Sequence, residues 1–221
     1  MNKPIDDKKS TQRKQPTQAR SQKIVDAIVN AAQKILAEEG SRALNTNYVA
    51  EVADVNIASL YRWFPNKEAI IESAFEAMVN EEVEELLDFM KQFNKLAVQP
   101  RVMTVDHMLS FIIDSLIMRQ QRFLHLHESF YKENLNHFNL AERAALDTNQ
   151  TWTDLSEKWL ANIMLEHRPE LTGEEASFRA FIATRSILGA CFSTVTCRPE
   201  LLGEKRFRES LFTVAQGLLN Q

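Results

Sequence analysis

The chain has 221 residues, of which 44% are hydrophobic, and its formal net charge is −4. This length and apolar content suffice for one large or two modest domains, and the negative charge argues against a general coat for nucleic acid. The chain contains only 5 Gly and 6 Pro, so it has few of the residues that favour turns. Because most segments repeat their apolar residues with helical periodicity, we predict an all-α fold.

The chain begins with a polar segment, residues 1–16, which we predict to be a disordered basic arm. Such an arm either attracts DNA phosphates or is a solvated tail. A first helix is predicted over residues 17–39, ending at Gly40. Its apolar stripe consists of Ile24, Ile28, Ala31 and Ile35.

Residues 46–68 read as two short helices joined by a tight turn and followed by a third helix. Asn45 is suited to cap a helix over residues 46–53, and Asn56 to cap one that begins at Ile57. Asp54 lies in the turn, where a short polar side chain tolerates a left-handed backbone. Leu60 and Phe64 give the second helix an inward edge. These features predict a helix-turn-helix, a motif whose second helix enters the DNA major groove.

Function then depends on the outward side of residues 57–63. Helix geometry predicts that Ala58, Ser59, Arg62 and Trp63 project outward, with Tyr61 on the flank. Small side chains let the backbone approach the groove, and Tyr61 and Trp63 carry donors suited to phosphate. Several alternatives stay open. Ile57 either contacts a thymine methyl or belongs to the core, Tyr61 and Trp63 are also good packing residues, and Arg62 is also suited to be a solvated charge.

The segment Leu60-Tyr61-Arg62-Trp63-Phe64-Pro65-Asn66-Lys67-Glu68 resembles the L-Y-x-H-F-x-x-K-E signature of the tetracycline-repressor (TetR) family of regulators. The resemblance covers residues 19–75, with Asp54 in place of the usual Gly and Trp63 in place of the usual His. It implies two sets of DNA contacts. The backbone contacts are Thr46, Tyr61, Trp63 and Lys67, and the candidate base readers are Asn47, Ile57, Ala58, Ser59 and Arg62.

Charge and periodicity divide the chain into predicted domains at 17–66 and 67–221. Residues 1–67 carry a net charge of +4 and residues 68–221 carry −8, so the basic part coincides with the helix-turn-helix. A long helix is predicted from Lys67 to about residue 94. It leads from the smaller domain into a larger helical domain for effector binding and dimerisation.

The larger domain is dense in aromatic and Met side chains. Such a stripe forms either plain core or the lining of an apolar cavity between helices. The resemblance favours a cavity for a small apolar or amphipathic effector. The candidate lining residues are Phe89, Phe93, Met108, Phe111, His127, Phe130, Tyr131, Trp152 and Trp159.

Two helices are predicted over residues 173–197 and 204–220. The resemblance implies that they pair with their symmetry mates in a homodimer, and the alternative is that they close the core of one chain. The candidate interface residues are Phe181, Leu188, Phe192, Phe207, Leu211, Val214 and Leu218.

The predicted function is therefore a homodimeric transcriptional regulator, most simply a repressor that binds a palindromic operator and is released by its effector. The rival is an architectural or constitutive DNA-binding protein without an effector. We find no nucleophile-and-base pair, metal-ligand spacing or phosphate loop, and therefore predict no enzyme, metal or cofactor. Cys191 and Cys197 are placed as free thiols, and no signal peptide or membrane span is evident. These features predict a cytoplasmic protein.

Overall fold

The computed structural model describes residues 19–96, 104–139 and 151–220, and in these ranges the chain folds into helices. The predicted all-α class is therefore confirmed for the described residues. The predicted basic arm lies outside them. The helices are α1 (Ala19–Glu38), α2 (Thr46–Val52), α3 (Ile57–Trp63), α4 (Lys67–Leu96), α5 (Val105–Glu133), α6 (Trp152–His167), α7 (Gly173–Cys197) and α8 (Lys205–Asn220), with a short 3-10 helix at Pro199–Gly203 before α8.

Contacts group the chain into two compact units, residues 1–82 and 83–221. The long helix α4 begins in the first unit and continues into the residues of the second. The sequence-based boundary after residue 66 differs from this division, which assigns the first turns of α4 to the smaller unit. The domain organisation stays a prediction.

The first unit is held together by a small core of aliphatic and aromatic side chains. Ile28, Ile35, Leu44, Val49, Leu60, Phe64, Ile70 and Phe75 are all almost completely buried. The α1 stripe faces this core as predicted, with Ile24 half-buried at its edge. Gly40 adopts φ +79°, a left-handed conformation that glycine reaches without steric cost, and its N–H donates to the Ile35 carbonyl at 3.0 Å. This contact ends α1.

The second unit is arranged around α7, which packs against α5, α6 and α8. Its buried residues recur at spacings of three and four and therefore share one broad face, while Phe178 and Phe181 are exposed. By length and composition α7 would also be able to cross a membrane. A core helix passes the same test, and α7 packs against three neighbouring helices.

Local sequence signals fix where the helices of the second unit begin. The hydroxyls of Thr104, Thr151 and Thr172 cap α5, α6 and α7 by accepting from backbone N–H groups three residues later. At α6 the Asp154 carboxylate accepts from the Thr151 N–H at 2.8 Å. That bond lowers the pKa of Asp154 below its usual value.

Helix α8 is attached to α5 by polar bonds as well as by packing. Arg208 donates twice to Asp114, at 2.5 and 2.7 Å, and Gln216 donates to Asp106 at 2.9 Å. The paired bonds raise the pKa of Arg208, because they favour its charged form. They also fix the register of α8 along α5.

Candidate functional site

The turn between α2 and α3 sets the direction of α3. Asp54 has φ 52°, the left-handed conformation predicted for this position. Asn45 accepts from the Tyr48 N–H at 3.0 Å and Asn56 accepts from the Ala58 N–H at 2.7 Å. Both predicted caps are present, so each short helix starts at a fixed residue. The two helices form the predicted helix-turn-helix.

The inner edge of α3 is anchored as the sequence predicts. Leu60 and Phe64 are completely buried. On the other side Ala58, Tyr61 and Arg62 are exposed, while Ile57 and Ser59 are half-buried. Asn47 on α2 is also exposed. The candidate base readers therefore share the solvent-facing side and flanks of one anchored pair of helices.

Trp63 does not project outward, and that part of the prediction is wrong. Its side chain is only 5% exposed. The reason is helical geometry, since Trp63 lies three residues after Leu60 and positions i and i+3 share a face. The Arg62 guanidinium carbon lies 5.5 Å from the centre of the Trp63 ring, a cation–π distance. Whether Trp63 also contacts a phosphate stays a prediction.

A hydrogen bond joins the two helices at their outer surface. The hydroxyl oxygens of Thr46 and Tyr61 are 2.9 Å apart, and Tyr61 is 42% exposed. Both residues were predicted as contacts to the DNA backbone. The bond brings them together from positions 15 residues apart in the sequence. It therefore fixes α3 against the start of α2 at the surface that α3 offers to a partner.

The start of α4 lies beside this surface. Asn66 caps α4 by accepting from the Ala69 N–H at 2.9 Å. The half-buried Lys67 has its ammonium group 3.4 Å from the Ser41 carbonyl oxygen, in the loop after α1. This distance exceeds the usual range of about 2.7–3.2 Å, so the bond is weak. The Ser41 contact was not predictable from the sequence, because every residue has a backbone carbonyl and the contact does not depend on residue type.

On the other side of the same unit Tyr48 donates to the Glu39 carboxylate at 2.6 Å. This bond and the carboxylate's charge raise the pKa of Tyr48. The contact links α2 to the end of α1. It positions α2 without involving any of the candidate DNA contacts.

In the second unit a cavity of about 60 Å³ lies between α5, α6 and α7. Two members of the candidate effector set, Phe111 and Trp152, line it. The other lining residues are Ile112, Ser115, Leu116, Arg119, Thr153, Ser156, Thr184 and Leu188. The sequence-based selection missed these residues because it followed aromatic and Met side chains, whereas much of the wall is polar or aliphatic.

The other candidate effector residues lie elsewhere. Met108 and Tyr131 are buried, and His127, Phe130 and Trp159 are half-buried, but none of the five lines this cavity. His127 interrupts the helical backbone of α5 with φ −164° and ψ 87°. The side chains of Phe89 and Phe93 lie outside the described part of the structure. The role of all of them in effector binding stays a prediction.

A second depression of about 200 Å³ lies at the ends of α6 and α8 beside the start of α5. It is bordered by polar groups such as Asp106, His167 and Arg168. Arg168 donates to the Leu219 carbonyl across it. This bond holds α8 to α6 and occupies the guanidinium group of Arg168.

Helices α7 and α8 also present apolar side chains to solvent. In the predicted interface set, Phe181 is 45% and Val214 58% exposed. Phe178, which is outside that set, is 61% exposed. Within the set, Phe192, Phe207 and Leu218 are half-buried, while Leu188 and Leu211 are buried in the chain's own fold. The predicted set therefore divides into an exposed part and a part that stabilises the monomer.

Comparison with known proteins identifies the first unit. Residues 28–74 match the family model of the bacterial regulatory proteins of the tetR family. This range contains α2, α3 and the loops on both sides of them. No curated protein matches the chain.

The chain is similar to solved structures of transcriptional regulators. A transcriptional regulator from Cytophaga hutchinsonii ATCC 33406 is 16% identical over 89% of this chain and 94% of its own, with a TM-score of 0.51. A TetR transcriptional regulator from Rhodococcus sp. RHA1 is 14% identical over 90% and 97%, with a TM-score of 0.43. GusR from Salmonella enterica is 19% identical over 90% and 96%, with a TM-score of 0.41. The first of these likenesses indicates a shared fold.

Proposed function

We propose that this chain, whose residues 28–74 match the family model of the tetR bacterial regulatory proteins, is a dimeric repressor that is released from DNA by a small apolar or amphipathic effector. The observation that carries the DNA-binding part is the outer side of α3. Ala58, Tyr61 and Arg62 are exposed there while Leu60 and Phe64 anchor the same helix in the core. An anchored helix with a solvent-facing polar side is what the major groove accepts.

The proposed contacts divide into two classes. Asn47, Ile57, Ala58, Ser59 and Arg62 read base edges. An arginine can donate two hydrogen bonds to guanine, an asparagine pairs with adenine, and an apolar side chain contacts a thymine methyl. Thr46, Tyr61, Trp63 and Lys67 contact phosphates and fix the register of α3 on the duplex. The burial of Trp63 makes it the weakest member of this second class.

The proposed dimer uses the exposed apolar part of α7 and α8. Phe178, Phe181 and Val214 leave large hydrophobic side chains in solvent. A two-fold interface brings the same patch of two subunits together and removes that surface from water. Such a dimer presents two copies of α3 to a palindromic site whose half-sites are one helical turn of DNA apart, roughly 34–36 Å.

The proposed effector binds in the cavity between α5, α6 and α7. Release requires that the effector favour one of two conformations, because a ligand with equal affinity for both shifts nothing. Helix α4 is continuous from Lys67, at the candidate DNA surface, to Leu96. A continuous helix of this length can carry a displacement along its axis, and we propose it as the element that the effector displaces.

The size of the cavity supports a second candidate function. Pockets for drug-sized ligands have volumes of about 300–1,000 Å³, whereas this cavity measures about 60 Å³. A constitutive DNA-binding regulator without an effector would need no larger space. Either candidate is a cytoplasmic, non-enzymatic protein. Among the described residues no group of His, Cys, Asp and Glu is placed to hold a metal ion.

The proposal is tested by selecting DNA duplexes from a random pool with the purified protein. The selected duplexes are then footprinted. We expect a palindromic site, protection of two half-sites, and a dimer in sedimentation. A monomer without preference for any duplex over competitor DNA would refute the proposed function. A thermal-shift screen then separates the two candidates, since a ligand at about 100 times its Kd adds about 2.7 kcal/mol of stability.

A further inference from the structure

The wall of the α5–α6–α7 cavity contains two buried donors without partners. Trp152 is 5% exposed and Thr184 is 2% exposed. The indole Nε1 of Trp152 and the hydroxyl Oγ1 of Thr184 have no hydrogen-bond partner among the described residues. Both side chains line the cavity, one from the start of α6 and the other from the middle of α7. A buried donor without a partner is unfavourable, so the pair needs an explanation.

The neighbouring residues define the kind of group that fits these donors. Arg119 is the one charged residue among the described residues that line the cavity. Its positive charge also favours the thiolate of the buried Cys191. The Ser156 hydroxyl donates to the Trp152 carbonyl at 2.9 Å, so its donor is already used within α6. The indole N–H can only donate, so the group that fits must accept hydrogen bonds.

We propose that this cavity binds the carboxylate group of a small amphipathic acid through Trp152 Nε1 and Thr184 Oγ1, with Arg119 supplying the complementary charge. This inference rests on the proposed effector function and gives the effector a chemical class. A carboxylate accepts several hydrogen bonds and carries the charge that Arg119 favours. An ammonium would meet donors and a like charge. An alcohol would lack the charge interaction.

The apolar part of the wall borders the proposed head-group site. Phe111, Ile112, Leu116 and Leu188 surround the polar group with hydrocarbon. A cavity that holds benzene has a volume of about 150 Å³, so a space of about 60 Å³ admits the head group and little more. The two donor atoms are closed to solvent. A ligand that reaches them therefore widens the gap between α6 and α7, which supplies the differential contact that release requires.

The test compares ligands that differ only in the head group. Butanoate, hexanoate and octanoate are titrated into the full-length protein by calorimetry, each beside the alcohol and the amine of the same chain length. We expect the acid to bind at least about tenfold more tightly than the alcohol, since a hydrogen bond to a charged group contributes about 1.5–3 kcal/mol. The amine should bind most weakly. Equal affinity for acid and alcohol, or no binding by any of the acids, would overturn the proposal.

Two substitutions remove the donors, and Thr184→Val does so with little change of shape. Thr184→Val and Trp152→Phe should each raise the Kd of the acids about tenfold or more and reduce the preference for acid over alcohol. Thr184→Val should not lower the melting temperature much, because the hydroxyl makes no bond within the described protein. Trp152→Phe should lower it, because the smaller ring leaves a space at a buried position. Acid binding that is unaffected in both variants overturns the proposal.

The chain supplies a matched control on the same helix as Thr184. Thr194 on α7 is also buried, but its hydroxyl donates to the Ala190 carbonyl at 2.8 Å, and the residue does not line the cavity. Thr194→Val should leave acid binding unchanged. A loss of binding in this control as large as in Thr184→Val would also overturn the assignment.

Failure of this inference is distinguishable from failure of the proposed function. The same preparations are assayed for binding to the selected duplex by gel shift. Sequence-specific DNA binding without binding of any acid would overturn the carboxylate site and leave the regulator intact. Binding of the acids without any preference among duplexes would instead remove the proposed function.

Discussion

Lys67 is the residue whose replacement separates DNA binding from stability most cleanly. Its ammonium group is 3.4 Å from the Ser41 carbonyl oxygen, a weak bond, and α4 begins at this residue. We expect Lys67→Ala to remove one phosphate contact in each subunit. The folded unit should lose little, because the bond that disappears is longer than a normal hydrogen bond.

The magnitude follows from counterion release. Each phosphate contact contributes about 0.9 to the slope of log K against log salt, so a dimer that loses two contacts should lose about 1.8 from that slope. Between about 50 mM and about 200 mM salt, wild-type affinity should therefore fall about 12-fold more than that of the variant. The two proteins should converge at high salt, where the ionic contribution disappears.

The assay is fluorescence anisotropy with the selected duplex over a series of salt concentrations. Lys158→Ala is the matched control, since Lys158 is exposed on α6 in the other unit. An unchanged slope in Lys67→Ala, together with a lowered melting temperature, would refute the reasoning. Lys67 would then be a structural residue that holds the loop at Ser41 to the start of α4.

Four further predictions concern the same molecule. Phe64→Ala should destabilise the first unit by about 3–5 kcal/mol, because it empties a completely buried site, and a loss below about 1 kcal/mol in urea denaturation would contradict that packing. Tyr61→Phe removes the 2.9 Å bond to Thr46 and should weaken DNA binding about 2–12-fold without changing which duplex is selected; a changed selection would make Tyr61 a base reader. Thiol titration of the native protein should label the exposed Cys197 and leave the buried Cys191 unreacted. Because burial raises the pKa of Cys191 from 9.0 to about 12, the stability it contributes is complete below pH 9.0 and falls by up to about 1.4 kcal/mol per pH unit as pH rises toward 12. In Cys191→Ala this dependence of stability on pH should disappear. A wild-type protein that is equally stable across that pH range would contradict the prediction.

The features that the sequence predicted correctly depend on neighbours within a few residues. Asn45 and Asn56 cap their helices, and Gly40 and Asp54 take left-handed conformations, because each responds to its own backbone. The inner edge of α3 follows from residues four apart on one helix. The burial of Trp63 could have been predicted from the same helical spacing, because Trp63 lies three residues after the buried Leu60.

Other features depend on which helices meet, and helical periodicity does not contain that information. A stripe of apolar residues indicates that one face of a helix is buried, but it does not indicate which neighbouring helix covers that face. For this reason the sequence predicted a cavity in the second unit but did not indicate which side chains line the space between α5, α6 and α7. Met108 and Tyr131 are buried elsewhere, while Arg119 and Thr184 line the space.

The amino-acid sequence by itself determined the helices, their caps and the helix-turn-helix, because these arise from contacts between residues close in the chain. Only the tertiary structure decided that Thr46 meets Tyr61 and that Trp152 and Thr184 share one cavity with an unpaired donor each. Those contacts join residues far apart in the chain. They depend on how whole helices pack against one another, which no single segment of the sequence determines.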